Sequence, residues 1–149
     1  MIHVFADASI MNGNGGIGFV IVTPTQYITG REPIACRNIA WLEILAVCKG
    51  LDQLQEASDV TVYSDSESVV DQFGRKHCRN ANGIHRFYNL LHRHCYWHDV
   101  TFVKVGKGKF HPLHHRAHHL SREAAANKIH LIEVHDGEVR DEVERLLCG

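Results

Sequence analysis

No two of the five cysteines (Cys36, Cys48, Cys78, Cys95, Cys148) stand at a CxxC spacing, and their number is odd. This excludes a zinc ribbon, argues against a disulfide framework and predicts a reducing, cytoplasmic setting. Also missing is any uninterrupted apolar run near the roughly 20 residues that cross a bilayer. The opening stretch Met1–Ala6 meets Asp7 too early for a signal peptide, so neither secretion nor a membrane partner is expected. Prolines number only three, and no repeat, low-complexity stretch or linker divides the 149 residues. The chain therefore reads as one domain, residues 1–149, with a core over about 2–128 and a C-terminal extension over 129–149. An excess of either charge is lacking too: 16 Lys+Arg against 17 Asp+Glu leave −1, which alone points to no partner.

The charges are nevertheless segregated. Residues 1–74 hold three basic and nine acidic side chains, whereas 75–116 hold nine basic side chains, the single acid Asp99 and eight of the 13 histidines. Residues 117–149 return to an acidic excess, four against seven. An acidic part joined to a basic one suits an enzyme that holds cations with carboxylates while tracking a polyanion with Lys and Arg.

Ile2–Ala6 alternates as a first strand and delivers Asp7 near its end. Asn12–Gly16 signals a turn, Ile17–Val22 a second strand, and Tyr27–Cys36 a third. Leu42, Leu45, Ala46 and Leu51 recur at helical spacing over 39–54, with Glu43 near the start of that helix. Val60–Tyr63 is a short strand that ends at Asp65, and Val69, Val70 and Phe73 suggest a short helix closed by Gly74. Beyond a polar loop, a helix is expected over 84–95, a strand over 100–105, a Gly/Lys loop and a helix from about His115 to Lys128. The short apolar run 129–134 and a last helix over about 138–147 complete the chain.

The order predicts an α/β fold in which an antiparallel meander of three strands is extended by two strands parallel to the first. Strands one and four would then be neighbours, placing Asp7 beside Asp65 with Glu43 projecting from the helix packed across them. Carboxylates gathered on rigid elements raise one another's pKa values unless cations bind between them, so the trio is a candidate Mg²⁺ or Mn²⁺ site. Two ions about 4 Å apart would hold an attacking water and a leaving oxygen in line across a phosphate.

Five segments in order carry a resemblance. They are Phe5-Ala6-Asp7-Ala8-Ser9, Asn12-Gly13-Asn14-Gly15-Gly16-Ile17-Gly18, Glu43-x-x-Ala46, Tyr63-Ser64-Asp65-Ser66, and His111-Pro112 before Arg116–Ala125. Together, over about residues 2–126, they resemble a type 1 ribonuclease H. The resemblance implies a mixed five-stranded ribonuclease H-like sheet flanked by helices, and hydrolysis of the RNA strand of an RNA–DNA hybrid with two divalent ions, leaving 5′-phosphates. It implies no small-molecule cofactor, and a monomer is expected. Asp7 would bridge both ions, Glu43 would bind one ion and a ribose 2′-OH, and Asp65 would bind an ion and orient the water. Backbone groups of Asn12, Gly13, Asn14 and Gly15 would line the minor groove.

Departures from the family pattern are informative. Its fourth carboxylate is replaced by His118, a neutral ligand or water-positioner that should weaken Mg²⁺ binding and favour Mn²⁺. Where the family carries a flexible-loop histidine for product release, the gapless match gives Gly108; His111, or the charges of Lys107 and Lys109, would serve instead. Asn38-Ile39-Ala40 replaces a Thr-Asn-Asn run and Ser68 an aromatic, both in positions that grip DNA. Arg75, Lys76, Arg79 and Arg86 would contact phosphates in place of a longer basic protrusion. Three other readings stay open: a zinc site at His92, His94, Cys95 and His98 or at His114, His115, His118 and His119, a non-catalytic hybrid-binding module, and a nuclease for another nucleic-acid structure. Cys48 reads as core rather than nucleophile.

Overall fold

The strand expected to stop at Asp7 runs on to Met11. In the computed structural model, which describes residues 1–67, 69–70, 93, 97–106, 111–135 and 145, β1 spans Ile2–Met11. It turns back through Asn12 and Gly13 into β2 (Asn14–Val22). Both loop residues have positive φ, 52° and 77°, the condition for a two-residue type I′ hairpin, which is why Asn-Gly stands there. β3 (Tyr27–Ile34) completes the meander, and α1 (Ile39–Leu51) starts at Asn38, whose Oδ1 accepts the Trp41 N–H at 3.3 Å. β4 (Asp59–Ser64), β5 (Asp99–Lys104), α2 (Pro112–Asn127) and β6 (Leu131–His135) follow. The predicted helix over 84–95 and tail helix over 138–147 lie outside the described residues, save for single positions.

The sheet order is β5-β4-β1-β2-β3-β6, with β4 parallel to β1 and β5 parallel to β4. The α/β class is as expected, but the sheet has six strands rather than five. β6 pairs antiparallel with β3, from Tyr27↔His135 to Arg31↔Leu131. Lys128, at a left-handed φ of 52°, ends α2 and reverses the chain towards that edge. Arg31 then ties the layers, bonding Glu123 of α2 and Glu133 of β6.

Alternation along β1 divides the core. Val4, Ala6 and Ala8 join the cluster built with Leu42, Ile44, Val47 and Leu51 of α1. Phe5 joins Val20, Val22 and Tyr27 against Leu113 and Ala117 of α2. Period-two geometry therefore turns Asp7 and Ser9 to the same side as Phe5. The buried contact of Ser9 Oγ with Ser121 Oγ at 2.7 Å agrees.

The depth at which α2 lies is set by two glycines of β2. A Cβ on Gly18 would lie 2.3 Å from Ala117 O and 2.5 Å from Ser121 N; one on Gly16 would lie 2.3 Å from Ser121 O. These are helix backbone atoms that cannot rotate aside. Gly18→Ala should therefore lift α2 from the sheet at a cost of about 1–3 kcal/mol, as overpacking does. Urea unfolding would show a lower midpoint; an unchanged midpoint would mean the helix has room to move.

Candidate active site

The parallel ladder of β1 with β4 ends at Phe5↔Tyr63, and the same register carried two residues further pairs Asp7 with Asp65. Asp7 is only 2% exposed. Its Oδ1 accepts the Ala8 N–H at 2.9 Å, and its Oδ2 lies 2.7 Å from His118 Nδ1 on α2. The His118 side chain keeps 41% of its surface in solvent. Glu43 is 7% exposed in the first half of α1, and its Oε2 has no hydrogen-bond partner among the described residues. His114, one turn before His118, is also 7% exposed, and its Nε2 has no partner there either. Ligand atoms of Asp7, Asp65 and His114 all lie within 4.8 Å of one another.

Electrostatics follow from this crowding. Burial, then the charges of Asp7 and Asp65, and a side-chain hydrogen bond with Asp7 hold the Glu43 carboxyl well above the usual carboxylate range, against a smaller opposite pull from the Ala8 N–H. Burial and then Asp7 raise Asp65, partly offset by His114, its own backbone and His118. Without cations the cluster thus retains protons that free carboxyls would have lost. Divalent cations fit these residues on two counts: the donors are carboxylate oxygens and imidazole nitrogens, and two buried polar atoms, Glu43 Oε2 and His114 Nε2, lack partners among the described residues.

Asp7 thus lies against His118 and close to Asp65, and the charges of both aspartates act on Glu43. Asn12 and Gly13 form the hairpin tip, Asn14 and Gly15 open β2, and Asn38 caps α1. His111 is the N-cap of α2: its Nδ1 accepts the Leu113 N–H at 3.2 Å, and its ring packs 4.6 Å from that of Phe5. Burial, His114 and His3 lower its pKa. Arg75, Lys76, Lys107 and Lys109 lie outside the described residues. So do His92, His94 and Cys95 of the zinc reading, while His98 is buried and its Nδ1 accepts the Ser58 N–H before β4, at the end of that strand away from Asp65. Cys48 is fully buried in the core.

Two residues were not singled out for this site. Arg37 is exposed, its guanidinium 3.6 Å from where a Gly13 Cβ would stand, so a cation flanks the hairpin tip. His114 appeared only within a histidine cluster; its i,i+4 spacing from His118 was the available signal.

Carboxylates from adjacent parallel strands, joined by a glutamate from a helix on the other sheet face, define the class as a ribonuclease H-like fold with an acidic site. The family model described as RNase H matches residues 1–140, and the chain belongs to the RNase H family. A ribonuclease H of Syntrophus aciditrophicus (strain SB) is 30% identical over 138 residues, covering 82% of this chain and 79% of that protein. Among solved structures, LC11-RNase H1 in complex with RNA/DNA hybrid superposes with a TM-score of 0.71 at 19% identity, covering 86% of this chain and 99% of that one. LC9-RNase H1, a type 1 RNase H with the type 2 active-site motif, gives 0.68 at 17% identity, covering 95% and 80%. At such identities these structures establish the shared fold.

Proposed function

We propose that this chain is a metal-dependent endonuclease that hydrolyses the RNA strand of RNA–DNA hybrids by two-metal, in-line attack of water, leaving 5′-phosphate ends. The observation that carries the reading is the gathering of Asp7, Glu43 and Asp65 at one end of the β1–β4 pair, where burial and the neighbouring carboxylates raise the pKa values of Glu43 and Asp65. Mg²⁺ or Mn²⁺ bound there would polarise the scissile phosphate and lower the pKa of a coordinated water. Asp7 and Asp65 supply the negative charge, and Asp65, the more open of the two, orients the attacking water. Glu43 would accept a hydrogen bond from the ribose 2′-OH, the group that separates the RNA strand from DNA. With Nδ1 donating to Asp7 Oδ2, a neutral His118 would keep the lone pair of Nε2 for an ion or a water.

The hairpin tip Asn12–Gly13, with Arg37 beside it, and Asn14 and Gly15 at the start of β2 would face the minor groove, with Asn38 at the start of α1 as a further contact. Arg75, Lys76, Lys107 and Lys109 would add phosphate contacts that set register without reading sequence. The reading is of a monomer acting in the cytoplasm without an organic cofactor. That LC11-RNase H1 holds an RNA/DNA hybrid on this fold supports the choice of substrate.

The test is cleavage of an end-labelled hybrid in Mg²⁺ and in Mn²⁺, beside an all-DNA duplex and single-stranded RNA. Cutting is expected in the RNA of the hybrid alone, faster in Mn²⁺. Equal cutting of all-DNA duplex would move the enzyme to another substrate class. Hybrid bound but uncut in both metals would make it a binding module, with the loss of charge at His118 as the cause.

A further inference from the structure

We infer that His114 is a metal ligand of this site, making it a mixed imidazole–carboxylate centre in which a nitrogen donor belongs to the first turn of α2. The inference rests on the reading above that the site holds divalent cations.

Three independent features converge on it. His114 is only 7% exposed, and its Nε2 lacks a hydrogen-bond partner among the described residues. Buried imidazole nitrogens are ordinarily satisfied, so an orphan of this kind marks a missing partner. A ligand atom of His114 falls within 4.8 Å of ligand atoms on both Asp7 and Asp65, a span one cation can bridge. Finally, the helix start that carries it is held firmly. His111 caps it, Pro112 occupies its first turn, and Leu113 and Ala117 are wholly buried on either side. A donor placed on so constrained a turn loses little conformational entropy on binding an ion.

The i,i+4 spacing puts His114 and His118 on one face of α2, both toward the aspartates. His118 is already engaged with Asp7 through Nδ1 and is the more exposed of the two, so His114 is the better placed to give a nitrogen to the buried side of the site. An imidazole nitrogen binds Mn²⁺ and later first-row ions more readily than Mg²⁺, which prefers oxygen. The nitrogen ligand therefore biases the centre towards Mn²⁺ by a route separate from the charge lost at His118.

The test uses the metal-free full chain titrated calorimetrically with Mn²⁺ and with Mg²⁺, together with pulsed electron paramagnetic resonance of the Mn²⁺-loaded protein. We expect ¹⁴N coupling to bound Mn²⁺ that persists in His118→Ala, weakens in His114→Ala and is absent when both histidines are replaced. The Mn²⁺ Kd should rise roughly tenfold or more in His114→Ala, the scale seen when residues that support a metal are removed. The Mg²⁺ Kd should change much less. His114→Asn, which keeps a polar side chain of similar size, carries the same readouts if the alanine variant does not fold. Unchanged coupling and unchanged Mn²⁺ affinity in the His114 variants would overturn the inference while leaving the metal site standing. Failure of the wild-type chain to bind either ion would instead overturn the reading of the site itself, and the role of His114 with it.

Discussion

The Asp65→Asn protein will bind an RNA–DNA hybrid at least as tightly as the wild type and cut it about 10³-fold more slowly or worse, the scale on which removal of one member of a catalytic unit is felt. The substitution preserves shape and removes one negative charge from a site where Asp7, Glu43 and Asp65 already act on one another. With that charge gone, the remaining donors would hold a divalent cation poorly, and on the proposed reading the attacking water would lose the carboxylate that orients it. On the proposed reading, affinity for the hybrid would come from phosphate contacts elsewhere, and a carboxylate near a polyanion opposes binding, so its removal should not weaken the complex. Single-turnover cleavage with saturating enzyme, alongside fluorescence anisotropy of a labelled hybrid, separates the two quantities. A variant that cuts within tenfold of wild type would remove Asp65 from the machinery; one that loses binding in step with cutting would make it a substrate contact.

Asp7 and Asp65 could be paired from sequence because their placement depends on local pattern and one topological rule. Each follows a short β-branched run, and the helical crossover between those runs makes the strands parallel neighbours. The full length of β1 was hidden: Ala8-Ser9-Ile10-Met11 is a strand only because it pairs with Asn14–Ile17 across the Asn12-Gly13 turn. β6 was hidden for a similar reason. The five residues Leu131–His135, three of them apolar, acquire meaning from the open edge of β3, which lies some hundred residues earlier in the chain. The start of α2 was set three residues too late because His111-Pro112 reads as a break, whereas proline fits the first turn of a helix without loss of a hydrogen bond. His114 escaped because histidines at 114, 115, 118 and 119 populate more than one face of α2. Only the packing of Ala117 and Ser121 onto Gly16 and Gly18 decides which face turns inward. His114 and His118, which turn toward the aspartates, then differ sharply from His115 and His119, whose Nε2 atoms meet 3.0 Å apart on the exposed surface.

Glu43→Gln should invert the order of stability between wild type and variant according to whether divalent cation is present. In the metal-free protein burial and the neighbouring aspartates raise the pKa of Glu43, so the folded state binds its proton more tightly than the unfolded chain does. Stability from this group is therefore full below the ordinary glutamate pKa, about 4.3, and is lost as pH rises through the raised value. Asp65 contributes with the same sign. His3 and His111, whose pKa values are lowered chiefly by burial, act oppositely: their contribution grows as pH climbs towards about 6.5. Comparing the variant with wild type at each pH cancels the histidine contributions and leaves that of Glu43 together with its effect on the neighbouring aspartates. Without metal at pH 8, Glu43→Gln should be the more stable protein by about 1–2 kcal/mol, the usual gain on relieving a destabilised functional site. With Mn²⁺ at about 100 times its Kd the wild type gains about 2.7 kcal/mol. The variant gains less, because its amide carries no charge to the ion. Urea unfolding at pH 5 and pH 8, with chelator and with Mn²⁺, reads all four states. A variant less stable than wild type in chelator at pH 8 would show that Glu43 supports the fold itself. The predicted inversion would show a carboxylate held at a cost to the metal-free protein that cation binding offsets.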